Sequence, residues 1–334
     1  MANVGLDVGT SYIVLAKQDG DTVVYKDFRD AFYIIKPSTP VATKMIEKGL
    51  SGKIFIKDSD NSFILLGKDA IEKAIERNDT AKRPMYRGVV SSKEKDAKRI
   101  LSFILNEVVG QSSEPNEKLV FCVPAQPVDQ EDDDFDVGYH EDVIKTILKD
   151  SGYEARSINE AEALCYAELS DCDYTGIGIS CGAGMTNICV MLNGEPTVVF
   201  STTKSGDWVD RMSSVATGEP DSVVQAEKEG GGFTIGQPND NTILSAISAY
   251  YERLIDYTTK QLSGALSNHK LLPKFKNPLT IVIAGGTSQA SGYVDYFAVK
   301  LKDNHFPLEI KEVKHAADPL HAVAKGCLIA SQIL

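Results

Sequence analysis

Short, continuous apolar runs open two stretches of the chain in the same rhythm. Residues 4–25 read VGLDVGTSYIVLAKQDGDTVVY, and residues 177–200 read IGISCGAGMTNICVMLNGEPTVVF. Each begins as an apolar strand, turns at a Gly-rich step and resumes as a second apolar strand, with the length and branched side chains of buried strands. Each then turns again, at Asp19-Gly20-Asp21 and at Asn193-Gly194, dipeptides suited to a tight hairpin. Both close on a TVV-aromatic strand, Thr22 to Tyr25 and Thr197 to Phe200. The shared order of strand, glycine turn, strand, hairpin and strand points to duplication of one domain plan.

Helical spacing follows each hairpin. Lys93 to Val109 places Ala97, Ile100, Leu101, Ile104, Leu105 and Val108 on one face, which predicts an amphipathic helix. Asp142 to Leu148 and Asn159 to Leu169 are also expected to be helical, and Thr242 to Leu266 reads as a long amphipathic helix. Strands are expected at Leu119 to Val123 and Thr280 to Ala284. Strand hairpins followed by helices and further strands predict an α/β sheet covered by helices, twice over. No low-complexity linker separates the halves, so they are expected to pack around a cleft.

With 334 residues the chain can build two domains with cores of their own. Its 43% hydrophobic and 25% charged residues are those of an ordinary globular protein. The net charge of -12 argues against nucleic acid as a partner and against a polybasic membrane contact, both of which need a basic excess. No apolar run approaches the roughly 20 residues of a membrane span, and Asn3 to Asp7 leaves no room for a signal peptide. Cys122, Cys165, Cys172, Cys181, Cys189 and Cys327 form no CxxC pair. Reduced, buried thiols in a cytoplasmic protein are the expectation.

A polyphosphate held between two domains needs backbone N–H groups converging from both sides, with glycine where a side chain would block the approach. Gly5-Leu6-Asp7-Val8-Gly9-Thr10-Ser11 supplies one such turn, in which Asp7 can orient Mg2+ through water. Gly182-Ala183-Gly184-Met185-Thr186 supplies the facing turn. A third cluster, Gly285-Gly286-Thr287-Ser288, follows the apolar run Ile281 to Ala284 and would let backbone lie against a purine and its α-phosphate.

These three segments resemble the phosphate-1, phosphate-2 and adenosine motifs of the actin-like ATPases. Within that superfamily the chain is similar to the bacterial MreB and MamK type, especially MamK. Further segments carry the likeness in order along the chain: Phe63 to Ala70, Arg83 to Val90, Val123-Pro124-Ala125, Ile158 to Ala163, Ser205-Gly206-Asp207-Trp208-Val209-Asp210, Ala226-Glu227-Lys228-Glu229, and Asp318 to Gly326. The resemblance implies an α/β fold of two duplicated, ribonuclease H-like actin domains around a nucleotide cleft, each with a small inserted subdomain. Domain I would comprise residues 1–157 plus 319–334, with a subdomain at about 32–76. Domain II would span 158–318, with a subdomain at about 203–267. ATP or ADP with Mg2+ would lie in the cleft against Gly206, Asp207, Glu227 and Lys228 as well as the three loops. Glu160 falls at the position of the family's water-activating acid, whereas Glu162 is expected to face elsewhere.

The chain departs from the family where the chemistry is sharpest. The phosphate-2 loop usually opens with Asp, but Ser180 stands there, and the loop's terminal acid is Asn187. Ser and Asn can hydrogen-bond a hydrated Mg2+ but do not stabilise it as a carboxylate does. Nucleotide binding survives such a loss more readily than fast hydrolysis, so a slow or nearly inactive ATPase is expected. The resemblance implies a homopolymeric filament with cargo or adaptor proteins as further partners, and no membrane anchor is evident. A non-polymerising pseudo-ATPase scaffold is the chief alternative. A small-molecule kinase would need a positioned Asp base and a sugar pocket, and a chaperone-like ATPase would need a substrate-binding region; neither is evident. The acidic run Gln130 to Asp134 reads as a solvated loop and Trp208 as a packed aromatic. His315 and His321 lack acidic partners at metal-ligand spacing and read as structural, and Gly230-Gly231-Gly232 is expected to end a helix.

Overall fold

The computed structural model describes residues 3–115, 117–130, 135–268 and 274–333. Most of the acidic run, residues 131–134, lies outside them. The chain opens with β1 (Asn3–Val8), β2 (Tyr12–Asp19) and β3 (Thr22–Arg29), followed by β4 (Phe32–Ile35), α1 (Pro40–Gly49), β5 (Phe55–Lys57), β6 (Phe63–Leu66) and α2 (Lys68–Glu76). A small hairpin, β7 (Met85–Tyr86) and β8 (Val89–Val90), leads to α3 (Ala97–Val109), β9 (Glu117–Val123), α4 (Val137–Asp150) and β10 (Tyr153–Asn159). Then come α5 (Glu160–Glu168), β11 (Gly176–Cys181), β12 (Thr186–Leu192), β13 (Glu195–Thr202), α6 (Gly206–Thr217), α7 (Asp221–Gly230) and α8 (Thr242–Asn268). The last elements are β14 (Leu279–Ala284), α9 (Tyr293–Asp303), β15 (Ile310–His315) and α10 (Ala322–Ile333).

Two five-stranded sheets repeat one plan, β3-β2-β1-β9-β10 and β13-β12-β11-β14-β15. In each, the first three strands pair antiparallel and the last two join in parallel. Leu6 faces Leu15 and Phe121 across β1, and Ile179 faces Ile188 and Ile283 across β11. The turns match as well: Gly9 N–H donates to the Tyr12 carbonyl and Gly182 N–H to the Met185 carbonyl, both at 3.0 Å. Residues 32–76 form a three-stranded sheet, β4-β6-β5, with α1 and α2.

The helices divide the apolar surface among three layers. Ile100, Leu101, Ile104 and Leu105 of α3 and Ile144 and Leu148 of α4 share a core with β1, β2 and β9. Residues of α8 and α9 fill the equivalent place beside β11, β12 and β14. Between the two sheets lie α5 and α10, with Ala161, Ala163, Leu164, Cys165, Ala322, Val323 and Cys327 in one cluster with Val120, Cys122, Val282 and Ala284. The small residues of these helices permit a very close crossing. A methyl group at Gly326 would collide with the Ala163 carbonyl, and one at Gly5 with the backbone of Ala324 and Leu328.

Two boundaries shift from the sequence pattern for local reasons. The helix expected from Lys93 begins at Ala97, because a turn closed by Ala97 N–H on the Glu94 carbonyl, 3.0 Å, precedes it. Conversely, α4 starts earlier than its apolar face, at Val137, because the Asp136 carboxylate caps Tyr139 N–H at 2.8 Å. Gly231, with φ 75°, follows the last residue of α7. His321 has acids that sequence spacing did not suggest, Asp318 at 2.7 Å and Asp27 at 3.0 Å, and stacks on Tyr25. All six cysteines are free. Among the described residues no helix is long and apolar enough to cross a membrane.

His140, on the buried face of α4, has both ring nitrogens without a partner, and burial pushes its pKa down from 6.5 to about 4. The unfolded chain therefore binds a proton that the folded one refuses. Stability is whole above pH 6.5 and is lost as pH falls toward 4, by roughly 2 kcal/mol at pH 5. His140→Leu is expected to remove this loss: its advantage in Tm over the wild type should widen between pH 7 and pH 5 in thermal melts, and a constant difference refutes the assignment.

Candidate functional site

The matched turns of the two sheets face one another across a cavity of about 580 Å3, a size suited to a small-molecule ligand. Gly9, Thr10 and Ser11 line one wall, and Gly182, Ala183, Gly184 and Met185 the other. They meet at Gly184, where a methyl group would lie 2.5 Å from Thr10 Oγ1 and 2.8 Å from Gly88 N. Gly88 belongs to the Arg87-Gly88 tip of the β7–β8 hairpin, whose φ values of 50° and 77° suit a tight reversal. Its N–H donates to Thr10 Oγ1 at 2.9 Å, so this tip braces both turns.

The third loop closes the far side. Gly285, Gly286 and Thr287 line the cavity, with Pro319, Leu320 and Val323 from the approach to α10. Thr287 Oγ1 donates to the Gly182 carbonyl at 2.7 Å, and Ser205 Oγ donates to the same oxygen, so the second turn is pinned from behind. Ser288 and Thr186 are buried outside the cavity lining. Ser288 bonds the Gly285 carbonyl, and Thr186 bonds Ser205 and the Lys204 carbonyl. Gly206 also stands behind the wall, against Thr287.

On α7 the cavity is lined by Gln225, Lys228 and Glu229 rather than Glu227. Lys228 Nζ is held by Asp210 at 2.7 Å and by the Gly206 carbonyl at 3.2 Å. Asp207 receives both its bonds from Arg83 Nη1, at 2.9 Å each. Burial raises Asp207, but the charge and hydrogen bonds of Arg83, together with the charges of Lys228 and Arg29, outweigh it and hold the carboxyl below the usual range. Arg29 reaches Glu229 at 2.7 Å and lies over the Tyr12 ring. Both ion pairs join residues that precede β9 to helices that follow β13. Arg29, Asp207 and Glu229 also line a second cavity of about 770 Å3, as does Trp208, whose ring packs against Tyr250. The sequence pattern carried no signal for Arg29, whose partner stands 200 residues away.

Behind the two glycine turns, Asp7 from β1, Ser180 from β11 and Glu160 from α5 share the cavity wall. Asn159 caps α5, accepting from Ala161 N–H at 2.9 Å, and so fixes Glu160 as the first helical residue. Burial, reinforced by the Asp7 charge, pushes the Glu160 carboxyl up to about 8, against the pull of Asn187 and Ser180. Burial likewise raises Asp7 to about 6, although Cys122 Sγ donates to its Oδ1 at 3.1 Å. Cys122 thus belongs to the site, which its apolar sequence neighbours concealed. Glu162 faces away and accepts from Tyr166 Oη at 3.0 Å. Among the described residues no group of three or more His, Cys, Asp or Glu could hold a metal ion on protein ligands alone. Two carboxyls pushed upward in a glycine-lined cradle fit a cation that brings its own phosphate and water ligands.

The Volactin family profile matches residues 1–331. The chain belongs to the Volactin family. Solved structures agree on the fold. A MamK double helical filament superposes with a TM-score of 0.74 at 18% identity, over 100% of this chain and 99% of that one. MreB5 of Spiroplasma citri bound to AMPPNP superposes at 0.70 and 16% identity, over 99% and 96%. The ethanolamine utilization protein EutJ from Carboxydothermus hydrogenoformans follows at 0.54 and 15%, over 98% and 90%. No curated protein sequence matches the chain. At these identities the likeness is one of fold, the α/β actin-like fold of the MamK and MreB type.

The Gly184 contact makes a sharp prediction for this Volactin-family cleft. Gly184→Ala should force the two turns apart and destabilise the protein by about 1–3 kcal/mol, read as a lower Tm. Gly182→Ala, whose methyl would meet only the Met185 carbonyl at 3.2 Å, should be milder. Equal melts for the two variants would show that the turns do not touch at Gly184.

Proposed function

We propose that this protein is the subunit of a nucleotide-dependent, actin-like filament that binds ATP or ADP with Mg2+ between its two sheets and hydrolyses ATP slowly. The observation that carries the reading is the pair of equivalent glycine turns, one from each sheet, facing across a single cavity with Asp7 and Glu160 behind them. Backbone N–H groups of Thr10 and Ser11 and of Ala183 to Met185 would be the donors for phosphate oxygens, since those of Gly9 and Gly182 close their own turns, and Gly285 to Thr287 would be the surface for the nucleoside. The two domains would divide at residues 157–158, with α10 returning to the first. The proposed setting is the cytoplasm.

Bound Mg2+ would neutralise phosphate charge and be oriented by Asp7 through water. Glu160 would hold the attacking water in line with the γ-phosphate. Burial pushes its pKa up to about 8, so the positive charge of the bound cation would favour the ionised form that orients water. The relatives support assembly: one is a MamK double helical filament, and an MreB5 is bound to AMPPNP. Head-to-tail contact between copies would make a filament, with cargo or adaptor proteins as further partners. A non-polymerising scaffold is the second reading, and Ser180 and Asn187 are what favour it.

Sedimentation with negative-stain microscopy in Mg-ATP, Mg-ADP or no nucleotide decides between them. Filaments are expected with Mg-ATP; protein that binds nucleotide yet stays in the supernatant throughout would select the scaffold. Asp7→Ala should weaken Mg-nucleotide at least tenfold in a fluorescence titration, and unchanged affinity would remove Asp7 from the site. Ser180→Asp should raise phosphate release, and no gain would mean that the carboxylate lost there does not limit turnover.

A further inference from the structure

Asn187, fully buried at the second position of β12, uses both ends of its carboxamide. Its Oδ1 accepts the Ala125 backbone N–H at 2.8 Å, and its Nδ2 donates to Glu160 Oε2 at 2.9 Å. A backbone N–H can only donate, so the Ala125 contact fixes which end of the amide is oxygen and turns the NH2 group toward Glu160. Ala125 follows β9 of the first sheet, Asn187 lies in β12 of the second, and Glu160 opens α5. One buried side chain therefore ties the candidate acid to both sheets.

We propose that Asn187 is the positioning residue of Glu160, holding Oε2 so that the other carboxyl oxygen is presented to the cavity. The inference rests on the reading of Glu160 as the acid that orients water. It gives a use to the replacement at this position, since the Asn187 NH2 group can donate to Glu160 in either charge state, whereas aspartate could satisfy Ala125 with one oxygen but would set its charge against an ionised Glu160. Serine or alanine would be too short to span both partners. The contact also explains how a carboxyl with little access to solvent keeps one orientation, because a buried hydrogen bond left unmade is costly.

The test uses the full chain in two measurements. Single-turnover phosphate release and the Kd for Mg-AMPPNP are compared for wild type, Glu160→Gln and Asn187→Ala. Asn187→Ala should bind Mg-AMPPNP as wild type does, while release falls by about tenfold or more. Normal release from Asn187→Ala beside a dead Glu160→Gln overturns the inference and leaves the function intact. Release from wild type no faster than from Glu160→Gln removes the water-orienting reading, and with it the catalytic part of the inference. The contact is read separately from the 15N–1H signals of the Asn187 NH2, assigned by their loss in Asn187→Ala. One proton should be shifted downfield and protected from exchange, and both properties should vanish in Glu160→Ala. An unprotected NH2 in wild type, or one unchanged in Glu160→Ala, overturns the positioning role.

Discussion

The crossing of α5 and α10 is the constraint on which the rest of the molecule depends. Each sheet presents one of these helices to the other, and the two can approach only because Gly326 meets the Ala163 carbonyl and Gly5 meets the Ala324 backbone. That distance sets how far apart β1 and β11 stand, and therefore whether the turn after β1 can face the turn after β11. A larger residue at either glycine would separate the sheets and widen the cavity at the place where backbone donors from both sides must reach one ligand. Packing density here is a condition of chemistry as much as of stability.

Much of the architecture was legible because its signals are local. Glycine turns, TVV strands and the period of α3 and α8 are read from neighbouring residues, and they announced the three-stranded start of each sheet and the helices that cover it, though not β10 or β15. What escaped depends on residues far apart in sequence. Nothing near Arg29 or Cys122 announces Glu229 or Asp7, which the fold alone brings to them. The face of α7 is an intermediate case. Lys228 was named with Glu227, yet residues three and four apart share a helical face, so Gln225 brings Lys228 and Glu229 with it to the cavity wall and Glu227 is left off it. The start of α3 shows the converse limit: charged residues at helical spacing do not make a helix when a turn intervenes.

The centre of the cleft exchanges charge for directed polarity. Its neutral groups, Ser180, Asn187 and Cys122, surround two carboxyls that burial already pushes toward protonation. Carboxylates at positions 180 and 187 would add repulsion that only a tightly bound cation could offset. The arrangement found here can close without one, because neutral donors satisfy the carboxyl oxygens directly. Fold and electrostatics are thus compatible with a cleft that keeps its shape between ligands.

In both ion pairs across that cleft water reaches the acid more than the arginine. In the Arg29–Glu229 pair the side chains are 10% and 47% exposed; in the Arg83–Asp207 pair they are 22% and 35% exposed. Mobile ions screen an exposed charge far more than a shielded one, so Glu229 is the end at which ionic strength acts first. As salt rises, each pair is screened first at its acid, Glu229 or Asp207, while Arg29 keeps its place over the Tyr12 ring. Each clasp thus has a sheltered cationic half and a wetter anionic half, and the surrounding electrolyte acts on the second.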